Sequence, residues 1–222
     1  MKVLLILCML LCSLPVYAGV WVDDFEDGNS DGWVVSGGGE WIVQDGKLSG
    51  KFAGGFVASI IYLEPTIWKD YTLEAMVCLM QRFGHTEVSL CLRSNVPLGN
   101  AYAFCLHYVT NQVEIYCYRG WAIQELLSKP YTLLENTWYK VKCSASGNHL
   151  SFYIDGKLCI EIDDASLANG SVAFYIVDSH LLIDNMIITG DDIPDVGPRA
   201  EKSVAPIVNA LATTWGNVKH NR

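Results

Sequence analysis

Between Val20 and about Gly190 no segment sustains a 3.6-residue apolar period over three helical turns. The chain runs instead as short β-type segments punctuated by Gly, Asn, Asp and Pro. The segments fall at 20–25, 40–44, 47–52, 56–63, 71–80, 86–93, 101–108, 112–118, 120–127, 137–145, 149–154, 158–163, 171–177 and 181–189. Closely spaced strands with no helices between them leave a sandwich or a barrel. A span of about 170 residues is ample for a two-sheet core. With 51% hydrophobic and 18% charged residues, the chain is excluded from the disordered class. Its 24 acidic and 15 basic residues, net −9, deny nucleic acid the basic surface that phosphates require.

The two ends read differently from the middle. Lys2, the apolar run Val3 to Leu11, and the small residues Val16 and Ala18 match a secretory signal peptide over 1–18, cleaved after Ala18. The run is too short for the ~20 apolar residues of a membrane span. Cys8 and Cys12 both follow leucine, whereas a lipoprotein signal has a small residue there. The expected location is therefore secreted, extracellular or periplasmic. Cleavage removes Lys2, Cys8 and Cys12, leaving 24 acidic and 14 basic residues, net −10. Six cysteines remain (Cys78, Cys91, Cys105, Cys117, Cys143 and Cys159), enough for three disulfides in 15 connectivities. No CxxC pair supports a zinc ribbon or a thioredoxin motif. At the other end, 191–222 reads as a linker (Pro194, Gly197, Pro198) and a basic tail with a short helix at 204–218. The tail is a candidate docking or sorting element, or a frayed terminus lying on an acidic domain.

The centre permits a register argument. A two-residue turn at Thr110-Asn111 pairs Val109 with Gln112, His107 with Glu114, Leu106 with Ile115, and Cys105 with Tyr116. Apolar Phe104, Leu106 and Ile115 then share one side, and Cys105, His107, Glu114, Tyr116 and Tyr118 the other. In 86–93, Glu87, Ser89, Cys91 and Arg93 face outward. In 71–80, Glu74, Met76 and Cys78 do so. The expectation is one sheet face bearing Glu74, Glu87, Arg93, His107, Glu114, Tyr116 and Tyr118. Rings beside planar polar groups suit a sugar, stacked on one face and bonded through its hydroxyls. An ordinary solvated face is the competing account. Cys91 and Cys105 are a candidate cross-strand disulfide.

Asp23-Asp24-Phe25-Glu26-Asp27-Gly28, Gly32-Trp33 and Trp41-Ile42-Val43-Gln44-Asp45-Gly46-Lys47-Leu48 resemble the opening of a concanavalin A-like lectin/glucanase domain. Thr137-Trp138-Tyr139-Lys140-Val141, Phe152-Tyr153-Ile154-Asp155-Gly156-Lys157, Gly170-Ser171-Val172 and Ile183-Asp184-Asn185 resemble its second half. The laminin-G-like and 3-keto-disaccharide hydrolase-type branches look closest, over about 20–190. The resemblance implies an all-β jelly-roll sandwich of two antiparallel sheets over 19–190, with carbohydrate on the concave face. It also implies a structural Ca2+ tying the first strand to the last through Asp24 and Asp184.

Several motifs offer rival chemistry. Glu161-Ile162-Asp163-Asp164 is superficially like the carboxylate strand of laminarinase-type glycosidases, but Ser166 stands where the third carboxylate belongs. Arg93 matches the arginine of the 3-keto-disaccharide hydrolase-type pattern, whereas Glu87-Val88-Ser89 and Ala103-Phe104-Cys105 do not match the rest. Asp27-x-Asn29-x-Asp31-Gly32 begins like an EF-hand loop, yet position twelve is Gly38 and the better account is a polar turn. Asn169-Gly170-Ser171 is a glycosylation pattern that equally makes a turn. The expected function is a secreted carbohydrate-binding module. The alternatives are a glycoside hydrolase using Glu74, Glu87 or Glu114, and an adhesion module that binds protein.

Overall fold

The computed structural model describes residues 18–64, 66–195 and 197. The expected signal peptide, apart from Ala18, and the expected tail helix at 204–218 lie outside the described residues. The strands are β1 (Gly19–Asp23), β2 (Trp33–Ser36), β3 (Glu40–Gln44), β4 (Lys47–Phe52), β5 (Ser59–Leu63), β6 (Tyr71–Asn95) and β7 (Asn100–His107). They continue with β8 (Gln112–Arg119), β9 (Ala122–Pro130), β10 (Trp138–Ser146), β11 (His149–Ile154), β12 (Lys157–Asp163) and β13 (Ser171–Gly190). A 3-10 turn at Val96–Leu98 separates β6 from β7, and among the described residues no helix is long and apolar enough to cross a membrane.

All pairings are antiparallel, and β6 and β13 are long enough to run through both layers. Their first and last stretches respectively join β10, β11 and β12 on one side, and β4, β3 and β1 on the other. Their remaining halves carry β7, β8 and β9 on one side and β5 and β2 on the other. This is the expected jelly-roll sandwich. Phe104 of β7 meets Phe152 of β11 across the core, ring centroids 5.7 Å apart and edge to face. Trp21, Trp33 and Phe174 extend that apolar layer to one end.

Two local features decide which side chains meet. Val177 pairs with Glu87 and Ser179 with Arg82, so two steps along β13 answer five along β6. Across this irregular stretch the inward positions change from odd to even numbers on β6, and from Ile183 and Leu181 to Ile176 and Phe174 on β13. Leu73, Ala75, Val77 and Leu79 point inward before it, and Val88, Leu90 and Leu92 after it. Glu74 and Glu87 consequently lie on the outer faces of different layers, which corrects the expected single face. The β7–β8 turn spans Tyr108–Asn111, with Asn111 at φ 54°, so His107 pairs with Gln112 and Cys105 with Glu114. That register differs from the expected one by two residues. A shift of two preserves the face of every side chain, so the predicted composition of this hairpin face holds.

None of the six cysteines among the described residues is bonded to another. Cys91 opposes Ala103 and Cys105 opposes Ser89, which makes the two cysteines diagonal neighbours. Diagonals in an antiparallel pair lie ~7–8 Å apart at Cα, and their Cβ atoms miss the ~4 Å a disulfide requires. The expected Cys91–Cys105 bridge is therefore corrected to two free, buried thiols.

Candidate functional site

The outer face of the second layer is built in rows. Gln112, His107, Glu87 and Val177 form one row, and Glu114, Cys105, Ser89, Tyr175 and Ile60 the next. Tyr116, Ala103, Cys91, Ala173 and Tyr62 follow, and then Tyr118 and Ala101. Small residues line the middle: Ala101, Ala103, Cys91 and Ala173 are wholly covered. Around them stand tyrosine rings, with Tyr118 and Tyr175 edge to face at 5.8 Å. Trp121 tilts over Tyr175 at 6.4 Å and stays 48% exposed. Its backbone, at φ 67°, donates to the Gly99 carbonyl at 2.9 Å. A Cβ on Gly99 would sit 2.5 Å from the indole, so only glycine lets the ring lie there.

The other end of the face is polar. His107, 6% exposed, turns Nδ1 toward Glu114, 3.3 Å from Oε2, and Tyr116 donates its hydroxyl to the same oxygen at 2.6 Å. That bond to Glu114 raises the His107 pKa above its ordinary value, with burial opposing it. Burial pushes the Glu114 carboxyl up, but the bonds from His107 and Tyr116 outweigh it and hold it below the usual range. The far nitrogen of His107, Nε2, is buried, lies 3.7 Å from Glu87 Oε1, and has no hydrogen-bond partner. His85 Nε2 meets the same Glu87 oxygen at 2.6 Å, and the two imidazoles stand edge to face at 4.8 Å. The ligand atoms of His85, Glu87 and His107 all fall within 4.8 Å of one another. Phe56, 87% exposed, lies against His85 with ring centroids 5.2 Å apart.

Of the residues predicted from sequence, the structure brings together Glu87, His107, Glu114, Tyr116 and Tyr118. Glu74 is elsewhere, on the outer face of the first layer, paired with Lys140 at 2.8 Å and Lys142 at 3.5 Å. Arg93 is also elsewhere. Its guanidinium donates to the carbonyls of Lys69, Leu167 and Gly147, and reaches Asp70 at 3.4 Å. Its backbone, at φ 49°, marks the point where β6 turns away from the outer face. On edge strand β12, Glu161 and Asp163 flank the exposed His149 of β11, forming ion pairs along a hairpin edge. Asp27 and Asn29 accept from the backbones of Asn29 and Asp31, a polar turn. His85, Tyr62, Tyr175 and Trp121 are the additions. His85 is the i−2 neighbour of Glu87, a signal for a shared strand face, but it stood just outside the expected segment 86–93.

A concavity of about 570 Å3 lies elsewhere on the sandwich, lined by Trp21, Asp31, Leu63, Thr66 and Trp68 among others.

No protein-family model matches the chain, and no curated protein does. Solved structures resemble it in fold. A carbohydrate-binding module, CBM66 from Bacillus subtilis, superposes with a TM-score of 0.64 at 21% identity, covering 71% of this chain and 95% of the module. The exoplasmic/lumenal domain of VIP36, in a form bound to Ca2+ and Man3GlcNAc, gives 0.61 at 12% identity, covering 82% and 92%. A Bacillus licheniformis β-glucanase gives 0.58 at 9%, covering 78% and 98%. The fold is thus the concanavalin A-like sandwich, which carries carbohydrate binders and glycoside hydrolases alike.

Proposed function

We propose that this concanavalin A-like sandwich is an exported carbohydrate-binding module whose glycan lies on the outer face of the second layer. The observation that carries the reading is the aromatic patch on this face. The half-buried Tyr118 and the 48% exposed Trp121 stand at one end, beside the buried Tyr175 and a wholly covered floor of small side chains, and hydrogen-bonding groups stand at the other. An aromatic face stacks on the C–H face of a sugar while planar polar groups bond its hydroxyls. Binding is favoured over hydrolysis because the carboxylates there are engaged. Glu114 is 2% exposed and held by two donors, and Glu87 is held by His85. A retaining or inverting glycosidase needs two carboxyl groups free to act on opposite sides of the bond.

A glycan array probed with the protein tests this. Trp121→Ala should weaken binding to the best glycan roughly tenfold, about 1.4 kcal/mol, the scale of one stacked ring. Absence of binding to any oligosaccharide, with protein ligands retained, would move the reading to an adhesion module. Release of reducing ends from a bound polysaccharide would move it to a hydrolase.

We further propose a structural Ca2+ between the chain's first and last strands, held by Asp24 and Asp184. In support, burial raises the Asp184 carboxyl above its ordinary value, and the negative charges of Glu26 and Asp24 add to the rise against Lys47. A cation would relieve that repulsion through hard oxygen ligands. Metal-stripped protein should melt several degrees higher on adding Ca2+, and Asp184→Asn should remove the shift. An unchanged melting point would refute it.

A further inference from the structure

Glycan binding and a structural Ca2+ leave one feature of the outer face without a role. His107 Nε2 is buried and unpartnered, although leaving such a group unbonded costs about 1–3 kcal/mol. It points at Glu87 Oε1 from 3.7 Å, too far for a hydrogen bond, and the same oxygen is met by His85 Nε2. From these three atoms we infer that the chain holds a divalent transition metal ion, of the zinc type, through His85 Nε2, Glu87 Oε1 and His107 Nε2.

Geometry supports the assignment. A tetrahedral ion with bonds of ~2.0–2.1 Å holds its ligand atoms ~3.4 Å apart. The contacts here are 2.6 Å between His85 and Glu87 and 3.7 Å between His107 and Glu87, bracketing that spacing. The third spacing, between His85 and His107, lies within 4.8 Å, so side-chain adjustments of about 1–1.5 Å would close the set. Two imidazoles and one carboxylate form a borderline nitrogen-rich set, which suits zinc and its neighbours and disfavours calcium. The site is therefore distinct in chemistry from Asp24 and Asp184.

The outer shell is also in place. A metal-bound histidine ordinarily donates its other ring N–H to a carboxylate, which fixes the tautomer. His107 Nδ1 faces Glu114 in that way, and Tyr116 donates to Glu114 from the other side. His85 is positioned by the bulge of β6. Its backbone N–H donates to Asp178 Oδ2 at 3.2 Å, and Thr86 Oγ1 donates to the Asp178 carbonyl at 2.8 Å. A Cβ on Gly84 would come within 2.6 Å of that carboxylate, so the bulge closes only with glycine there. The His85 side chain is 35% exposed, which leaves the fourth coordination position to water or to a ligand on this face.

The test is a titration of the metal-stripped full chain with Zn2+ by calorimetry and with Co2+ by visible absorption. One equivalent should bind, with the intense d–d bands of a four-coordinate Co2+ ion. His85→Gln and Glu87→Gln should each abolish uptake or weaken it at least tenfold. Glu114→Gln should weaken it about 10–100-fold through the outer shell. His85 is partly exposed, so its variant isolates metal loss from misfolding, with far-UV circular dichroism as the check. Failure of the wild type to take up one equivalent would overturn the assignment. So would wild-type uptake by folded His85→Gln and Glu87→Gln proteins. Loss of glycan binding alone would leave it standing, because the titration does not depend on a sugar.

Discussion

Arg93 illustrates what a single residue's chemistry can and cannot announce. Alternation places it outward, beside Glu87 and Ser89, where an arginine would serve a sugar or a carboxylate. The positive φ at Arg93 instead swings the guanidinium beneath the crossover between β12 and β13. There it is 3% exposed and donates to three backbone carbonyls. Positive φ at a non-glycine residue has no reliable signature in one sequence, so this fate was not legible. Arg93→Ala should cost about 3–5 kcal/mol, because it strands buried carbonyl oxygens without donors. Arg93→Lys should recover little, since an ammonium cannot reproduce the planar fork. Urea unfolding of both variants measures this, and near-wild-type stability of Arg93→Lys would contradict the tie. His107 and Glu114 were legible for the opposite reason. They sit in a regular hairpin, where a register error of two leaves every face unchanged.

At the scale of elements, most strands follow from alternation and punctuation, but the two longest do not. Segments 71–80 and 86–93 are one strand, and so are 171–177 and 181–189. Phe83-Gly84-His85 and Asp178-Ser179-His180 carry the composition of turns, yet Ser179 and His180 pair with Arg82 and Gln81, and residues 83–86 bulge out between that pairing and Val177–Glu87. A bulge and a turn share residue types and differ only in partners, which a single sequence does not contain. That missing information moved Glu74 to the wrong face and hid His85 at a segment boundary. β2 was missed because four residues beside glycines carry too little alternation. The bulge has a testable keystone. Asp178 accepts from the backbone of Gly55 at 2.8 Å and of His85 at 3.2 Å, joining the Phe56 loop to β6. Asp178→Ala should lower stability by about 1–3 kcal/mol and weaken Zn2+ uptake about tenfold, while leaving Trp121 in place. Tryptophan fluorescence with calorimetry separates the two effects; unaltered Zn2+ affinity in the folded variant would detach the bulge from the metal site.

Across the whole molecule, the layers are joined by packing and by a crossover that leaves β12 at the edge of one layer and enters β13 in the other. Tyr102 fastens it. The ring is fully buried in the core, and its hydroxyl donates to Asp164 Oδ1 at 2.5 Å and accepts from the Leu167 N–H at 2.9 Å. Burial raises the Asp164 carboxyl, but the bonds from Tyr102 and Ser166 outweigh it and hold it below its ordinary value. The folded chain then binds this proton less readily than the unfolded chain does. The stability this group contributes is complete above the ordinary carboxylate range near pH 4 and declines as pH falls through the lower folded value. Tyr102→Phe keeps the ring and deletes the hydroxyl, so at pH 7 it should cost about 1–3 kcal/mol. Once Asp164 is protonated in both states the charge-assisted part of that bond is gone, and the difference between variant and wild type should shrink. Urea unfolding at pH 7 and pH 3 measures the two gaps. A gap of equal size at both values would mean that Tyr102 joins the layers through its ring and Leu167 alone, with the Asp164 charge contributing nothing.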